Sequence, residues 1–228
     1  MTDKKHYLRW WDIAIVTLIL FGSAIWNSTQ IFLTSDPNAL AQGAQFSADD
    51  NIYAIVVQSF ELAIAFLYLK VRRFDFSQWK YQVTWKGTLF AAALFLGLAL
   101  LMDIISIIAY GWPAVSASIG TGGLTMLLGE IDLSLIVFSL LNGFYEEIFF
   151  LGICTAVAQP YQPLSLVYAL LVRVSFHTYQ GLPAALGIGL GVGLVYYIFF
   201  RTKGENLYPY MLSHSIADVI GLGILPLL

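Results

Sequence analysis

Apolar residues along the chain collect into long runs, separated by shorter polar stretches. The runs cover positions 11–33, 52–69, 87–110, 133–158, 164–179, 184–200 and 208–227. A helix of about 20 apolar residues crosses a bilayer. Only helices and closed barrels satisfy their own backbone polar groups there. The pattern therefore predicts an all-α fold, a polytopic membrane helix bundle of about seven transmembrane helices. Gly181-Leu182-Pro183 marks a tight turn between the fifth and sixth spans.

Basic residues punctuate alternate loops. Lys4, Lys5 and Arg9 precede the first run. Lys70, Arg72, Arg73, Lys80 and Lys86 lie between the second and third, and Arg201 and Lys203 between the sixth and seventh. The stretches 34–51 and 111–132 contain no Lys or Arg. Cytoplasmic loops carry the Lys and Arg excess, which predicts a cytoplasmic N-terminus and an external C-terminus. The stretch 111–132, with Ser116, Ser118, Gly120, Gly122 and Gly123, reads either as a plain loop or as a re-entrant segment or lid. The sixth run carries Gly187, Gly189, Gly191 and Gly193, which predict close helix packing.

Composition agrees with this picture. Hydrophobic residues make up 59% of the 228 positions and charged residues 11%, against about 25% charged in soluble domains. A basic stripe is missing, so no nucleic-acid partner is expected. The single cysteine, Cys154, lies in an apolar run and reads as a small buried residue.

Charge inside the runs changes the picture most. Glu146 and Glu147 stand side by side in the fourth run, although a carboxylate in hydrocarbon costs about 3 kcal/mol or more. Arg173 and His177 are four apart in the fifth run and share a helix face, as do His214 and Asp218 in the seventh. Such groups should turn inward and meet. Glu61 and Asp103 are further intramembrane acids without an assigned role. A carboxylate and an imidazole can remove a proton from water attacking a carbonyl. A second imidazole can donate to the resulting oxyanion. Two histidines and a carboxylate can instead bind zinc, although the H-E-x-x-H helix pattern is missing.

Glu146-Glu147 with Gly152, then Arg173-x-Ser-Phe-His177-x-Tyr-Gln180-Gly181, then His214-x-x-x-Asp218, resembles the CPBP family. These are intramembrane proteases related to the type II CAAX prenyl endopeptidase, with bacteriocin-processing and bacteriocin-immunity members. The resemblance covers 133–228. It implies a four-helix catalytic core there, preceded by three spans and a connecting loop in 1–132. Three positions depart from the family pattern. Leu151 stands where the first motif usually has Arg, Arg173 where the second usually has Phe, and Asp218 where the third commonly has Asn. The first two read as an exchange that moves the Arg to the fifth span, within reach of Glu147.

The resemblance implies an intramembrane endopeptidase of a bacterial cell membrane. Glu146 with His177 would activate water, and His214 with Asp218 would form the oxyanion side. Glu147 and Arg173 would be structural support. A metal-free glutamate mechanism is favoured; the zinc alternative would use Glu146, His177 and His214. The expected partners are the lipid bilayer and a membrane protein or peptide substrate, either prenylated or a bacteriocin precursor. Two other readings compete. One is a non-proteolytic immunity or partner-binding protein on the same fold. The other is a proton-coupled transporter, against which the lack of inverted repeats counts.

Overall fold

The computed structural model describes residues 7–36, 47–117, 119, 129 and 131–227. The expected re-entrant segment or lid falls largely outside them, as do Lys4 and Lys5. Seven helices account for the apolar runs. They are α1 (Trp10–Thr34), α2 (Ala48–Val71), α3 (Trp85–Tyr110), α4 (Leu133–Ile153), α5 (Gln162–His177), α6 (Leu182–Thr202) and α7 (Tyr208–Ile220). Among the described residues no strand forms, only isolated bridges at Leu8–Val157 and Lys80–Asn206.

Local chemistry sets the helix ends. Ser47 and Asp50 form a reciprocal capping box on α2. Thr84 accepts the Gly87 N–H at the start of α3, and Asp132 accepts the Leu135 N–H at the start of α4. The Ser134 hydroxyl and that N–H hold the Asp132 carboxyl below its ordinary range. Pro163, Pro183 and Pro209 sit in the first turns of α5, α6 and α7, where no N–H is needed. Gly111 and Gly181 stop the chain at φ 81° and 87°, which a side chain would resist.

Five of these helices, α1 to α4 and α6, are long and apolar enough to cross a membrane. Helices α5 and α7 are shorter, with 16 and 13 residues. The fifth run, 164–179, matches α5 in length but sits two residues later, and the seventh, 208–227, predicted a longer helix than α7. In the structure α5 tightens after His177 into the turn Thr178–Gln180, and α7 stops at Gly221. Leu18, Phe60, Leu67, Leu100 and Leu171 all face outward while charges lie inside. That inversion is what a hydrocarbon solvent requires. The protein is an integral membrane, all-α helix bundle.

Helix α7 packs against α4 and α3, α1 against α5, and α2 along α4. One end of the bundle gathers the basic loops. Arg72 pairs with buried Asp12 at 2.7 Å, Arg201 donates to Gln162, and the Lys80 carbonyl accepts from Leu207.

Candidate active site

Glu146 and Glu147 lie on α4, where they are 4% and 0% exposed. Just beyond them the helix widens into a π-helical turn, Ile148–Ile153, with Cys154 N–H bonded to Phe149 O. Such turns are frequent at functional sites because they re-aim side chains. Here the turn places Phe150 under Arg173, whose guanidinium carbon is 4.1 Å from the ring centroid. A small cavity, about 20 Å³, borders Leu151, Cys154 and Arg173.

Small residues let the helices come this close. A Cβ on Gly143 would meet the Met211 carbonyl and Ser215 of α7. One on Gly189 would run into the Val174 backbone of α5. The glycine stripe of α6 is thus a packing surface, as its spacing predicts.

Three helices converge on one carboxylate oxygen. Arg173 Nη2 donates to Glu147 Oε1 at 2.7 Å, and His214 Nδ1 lies 2.7 Å from the same atom. A carboxylate only accepts, so Nδ1 carries a hydrogen and Nε2 is turned toward the second cluster. There Nε2 lies 3.8 Å from Glu146 Oε1 and 3.5 Å from Asp218 Oδ1. At least one proton must lie among these three groups, or the ring nitrogen would face only oxygen lone pairs. Asn142 Nδ2 donates to Asp218 Oδ2 at 2.8 Å and reaches Glu146 Oε1 at 3.4 Å. Glu146 Oε2 is buried and has no protein partner.

His177 is held differently. Its Nδ1 lies 2.8 Å from the Arg173 carbonyl. A carbonyl only accepts, so Nδ1 donates and Nε2 is left outside that bond. Its ring packs on Phe176 at 4.3 Å. Among the described residues, the metal-type ligand atoms that come within 4.8 Å of one another belong to Glu146, Glu147 and His214. His177 is outside that group, whereas the sequence placed it beside Glu146 and His214 in the zinc alternative.

Glu146, Glu147 and His214 are the residues that could hold a metal ion. Glu147 Oε1 already accepts from Arg173 and His214 Nδ1. A cation there would also face the guanidinium. Glu146, Glu147 Oε2 and His214 Nε2 remain, which matches the three protein ligands usual at catalytic zinc, with the Arg173 charge opposing an ion there.

Two polar residues of the site, Asn142 and Gln58, were not singled out from the sequence, and the two acids left without a role find partners. Asn142 lies one turn before Glu146, and that i−4 spacing was the available signal. Gln58 of α2 donates to Asn142 Oδ1 at 2.8 Å. Glu61 accepts from the Tyr145 hydroxyl at 2.6 Å and from Ser23 at 3.3 Å. Asp103 accepts the N–H groups of Ile224 and Leu225, so it anchors the C-terminal segment.

No curated protein and no solved structure matches the chain. A family model does: type II CAAX prenyl endopeptidase Rce1-like, over residues 128–220. That segment contains Glu146, Glu147, Arg173, His177, His214 and Asp218, together with all of α4 to α7. The family resemblance of the motifs is thereby borne out: residues 128–220 match the model of the Rce1-like type II CAAX prenyl endopeptidases.

Proposed function

We propose that the protein is a CAAX-type intramembrane endopeptidase that hydrolyses a peptide bond near the membrane. The observation carrying this reading is the buried meeting of Glu146, His214 and Asp218, braced by Glu147 and Arg173, inside the family-matched segment. A carboxylate oxygen without a partner is costly to bury unless something is meant to occupy its place. Glu146 Oε2 is such an atom, and so is Glu147 Oε2 beside it.

In this reading a water bound at Glu146 attacks the scissile carbonyl carbon. Its proton passes to Glu146 and then to the leaving amine, with His177 as the second base of this reading. The carbonyl π electrons move onto oxygen, where the protonated Nε2 of His214 donates to the oxyanion; when they return to reform the carbonyl, the C–N bond breaks and the amine leaves with the proton from Glu146. Asp218 keeps the imidazolium in place. Glu147 fixes the ring through Nδ1, and Arg173 supplies the countercharge that holds Glu147. In this reading side chains carry every proton, and a metal-free cycle is favoured over zinc.

The substrate class that follows is a membrane protein or lipid-bearing peptide, prenylated or a bacteriocin precursor. The site lies about 10 Å from the basic end of α4, at 1.5 Å per residue. With that end cytoplasmic, the substrate enters from the inner leaflet, and a reporter fused after Leu228 reads outside; a cytoplasmic signal there would overturn the topology. The test of function compares cells expressing wild type and Glu146→Gln. Loss of cleaved product and of cellular effect in the variant supports a protease. A variant that keeps the full effect points to a shielding or immunity role instead.

A further inference from the structure

Helix α2 lies outside the matched segment, yet it meets α4 through polar side chains in a constant register. Asn51 donates to Ser134, Gln58 to Asn142, and Tyr145 donates to Glu61, with separations of 83, 84 and 84 residues. Two helices running side by side in the same direction keep such an offset. Three polar contacts on an otherwise apolar seam fix both rotation and register, because a one-residue slip would leave each polar group in hydrocarbon.

The middle contact reaches the candidate site. An Asn side chain has a donating and an accepting end, and rotation by half a turn exchanges them. The Asn142 amide group faces two carboxylates, Asp218 Oδ2 at 2.8 Å and Glu146 Oε1 at 3.4 Å. Its carbonyl faces Gln58 Nε2 at 2.8 Å. Reversing Asn142 would aim its oxygen at both carboxylates, so they fix which end is which, and Gln58 holds the carbonyl end in place. Gln58 Oε1 is buried without a partner. The Gln58 side chain therefore has one bonded end, and that end is on Asn142.

We propose that Gln58 is a positioning residue for the site: it locks the Asn142 amide so that its N–H groups hold Glu146 and Asp218 together across α4 and α7. The assignment rests on the hydrolytic reading above. It gives the N-terminal helices a part in the chemistry beyond enclosing it. Gln58 touches neither carboxylate and acts through Asn142. The charged groups around the pair are Glu146, Glu147 and Asp218 together with His214 and Arg173, and Asn142 is the neutral donor among them.

The experiment uses full-length protein in nanodiscs with Gln58→Leu, Asn142→Leu and the double variant. Gln58→Leu should lower kcat at least about tenfold while KM stays within about twofold, since it leaves a buried polar group unpaired without touching substrate. The double variant should be no slower than Asn142→Leu alone, because residues acting in series are not additive. Independent, additive losses would overturn the proposal, and so would an unchanged kcat. A second measurement does not need turnover. The infrared band of buried carboxylic acids, followed against pH, should titrate at a shifted midpoint in Gln58→Leu, and an unchanged midpoint overturns the proposal. If wild type hydrolyses nothing but the band still shifts, the hydrolytic reading fails and the positioning role stands.

Discussion

Replacing Arg173 by Leu removes the cation from a completely buried pair. In the native protein its guanidinium donates to Glu147 at 2.7 Å and lies over the Phe150 ring. Both partners are at most 2% exposed, so no solvent can screen the carboxylate left behind. Breaking such a pair from one side costs about 3 to 5 kcal/mol. The lost ring contact is worth up to about 2 kcal/mol, part of which the Leu side chain regains by packing. Total stabilities of about 5 to 15 kcal/mol make this a large fraction. The expected apparent Tm falls by about 10 °C or more. Cys154 offers the assay, because it is the single cysteine and is buried. A dye that fluoresces on thiol labelling reports its exposure as detergent-solubilised protein is heated. The partner variant Glu147→Leu should also destabilise, by stranding Arg173. The double variant Arg173→Leu/Glu147→Leu leaves no unpaired charge, and it should recover most of the lost Tm. It should remain inactive, because His214 Nδ1 has lost its anchor. An Arg173→Leu protein with native Tm and turnover refutes the reasoning, and so does a double variant whose loss is the sum of the single ones.

Restoring the common family arrangement gives a sharper version of the same idea. Leu151→Arg with Arg173→Phe should recover part of the stability and activity lost in Arg173→Leu. Leu151→Arg alone should not, since the cavity beside it, about 20 Å³, has room for about one water and not for a second guanidinium. Gly143→Val pushes α4 off α7 at the Met211 carbonyl and should cost about 1 to 3 kcal/mol in the same thiol assay; native stability would show that the helices are not in contact there. Activity of purified enzyme should survive prolonged treatment with a strong zinc chelator, and loss that zinc reverses would replace the metal-free mechanism.

Much of the fold was legible because the bilayer imposes one rule everywhere. Apolar runs had to become helices, and the alternation of basic loops ordered them. The same rule exposed the site, since Glu146, Glu147, Arg173, His177, His214 and Asp218 are expensive in hydrocarbon unless they meet. The pairing of Arg173 with Glu147 could be read from that economy of charge alone. Neutral polar residues carried no such alarm. Gln58 and Asn142 look ordinary in sequence, and their contact depends on the register of two helices far apart in the chain. His177 shows the complementary limit. Its spacing from Arg173 identifies the shared face, but its ring hydrogen-bonds the Arg173 backbone, a local choice that periodicity does not encode. The π-helical turn after Glu147 likewise breaks the period on which sequence reading relies. Asp103 read as an intramembrane acid, yet it caps a terminal segment whose path was not evident from composition.

The central claim is that Glu146 activates the attacking water. The most direct measurement reconstitutes purified wild type and Glu146→Gln in lipid and follows cleavage of membrane peptides by mass spectrometry. Both proteins should show the same Tm within a few degrees, because Gln fills the same space. Wild type should generate new peptide termini carrying one oxygen from labelled water. Glu146→Gln should be slower by about 1,000-fold or more, the scale of losing a catalytic base together with its charge. A folded Glu146→Gln protein that cleaves as fast as wild type would contradict the account.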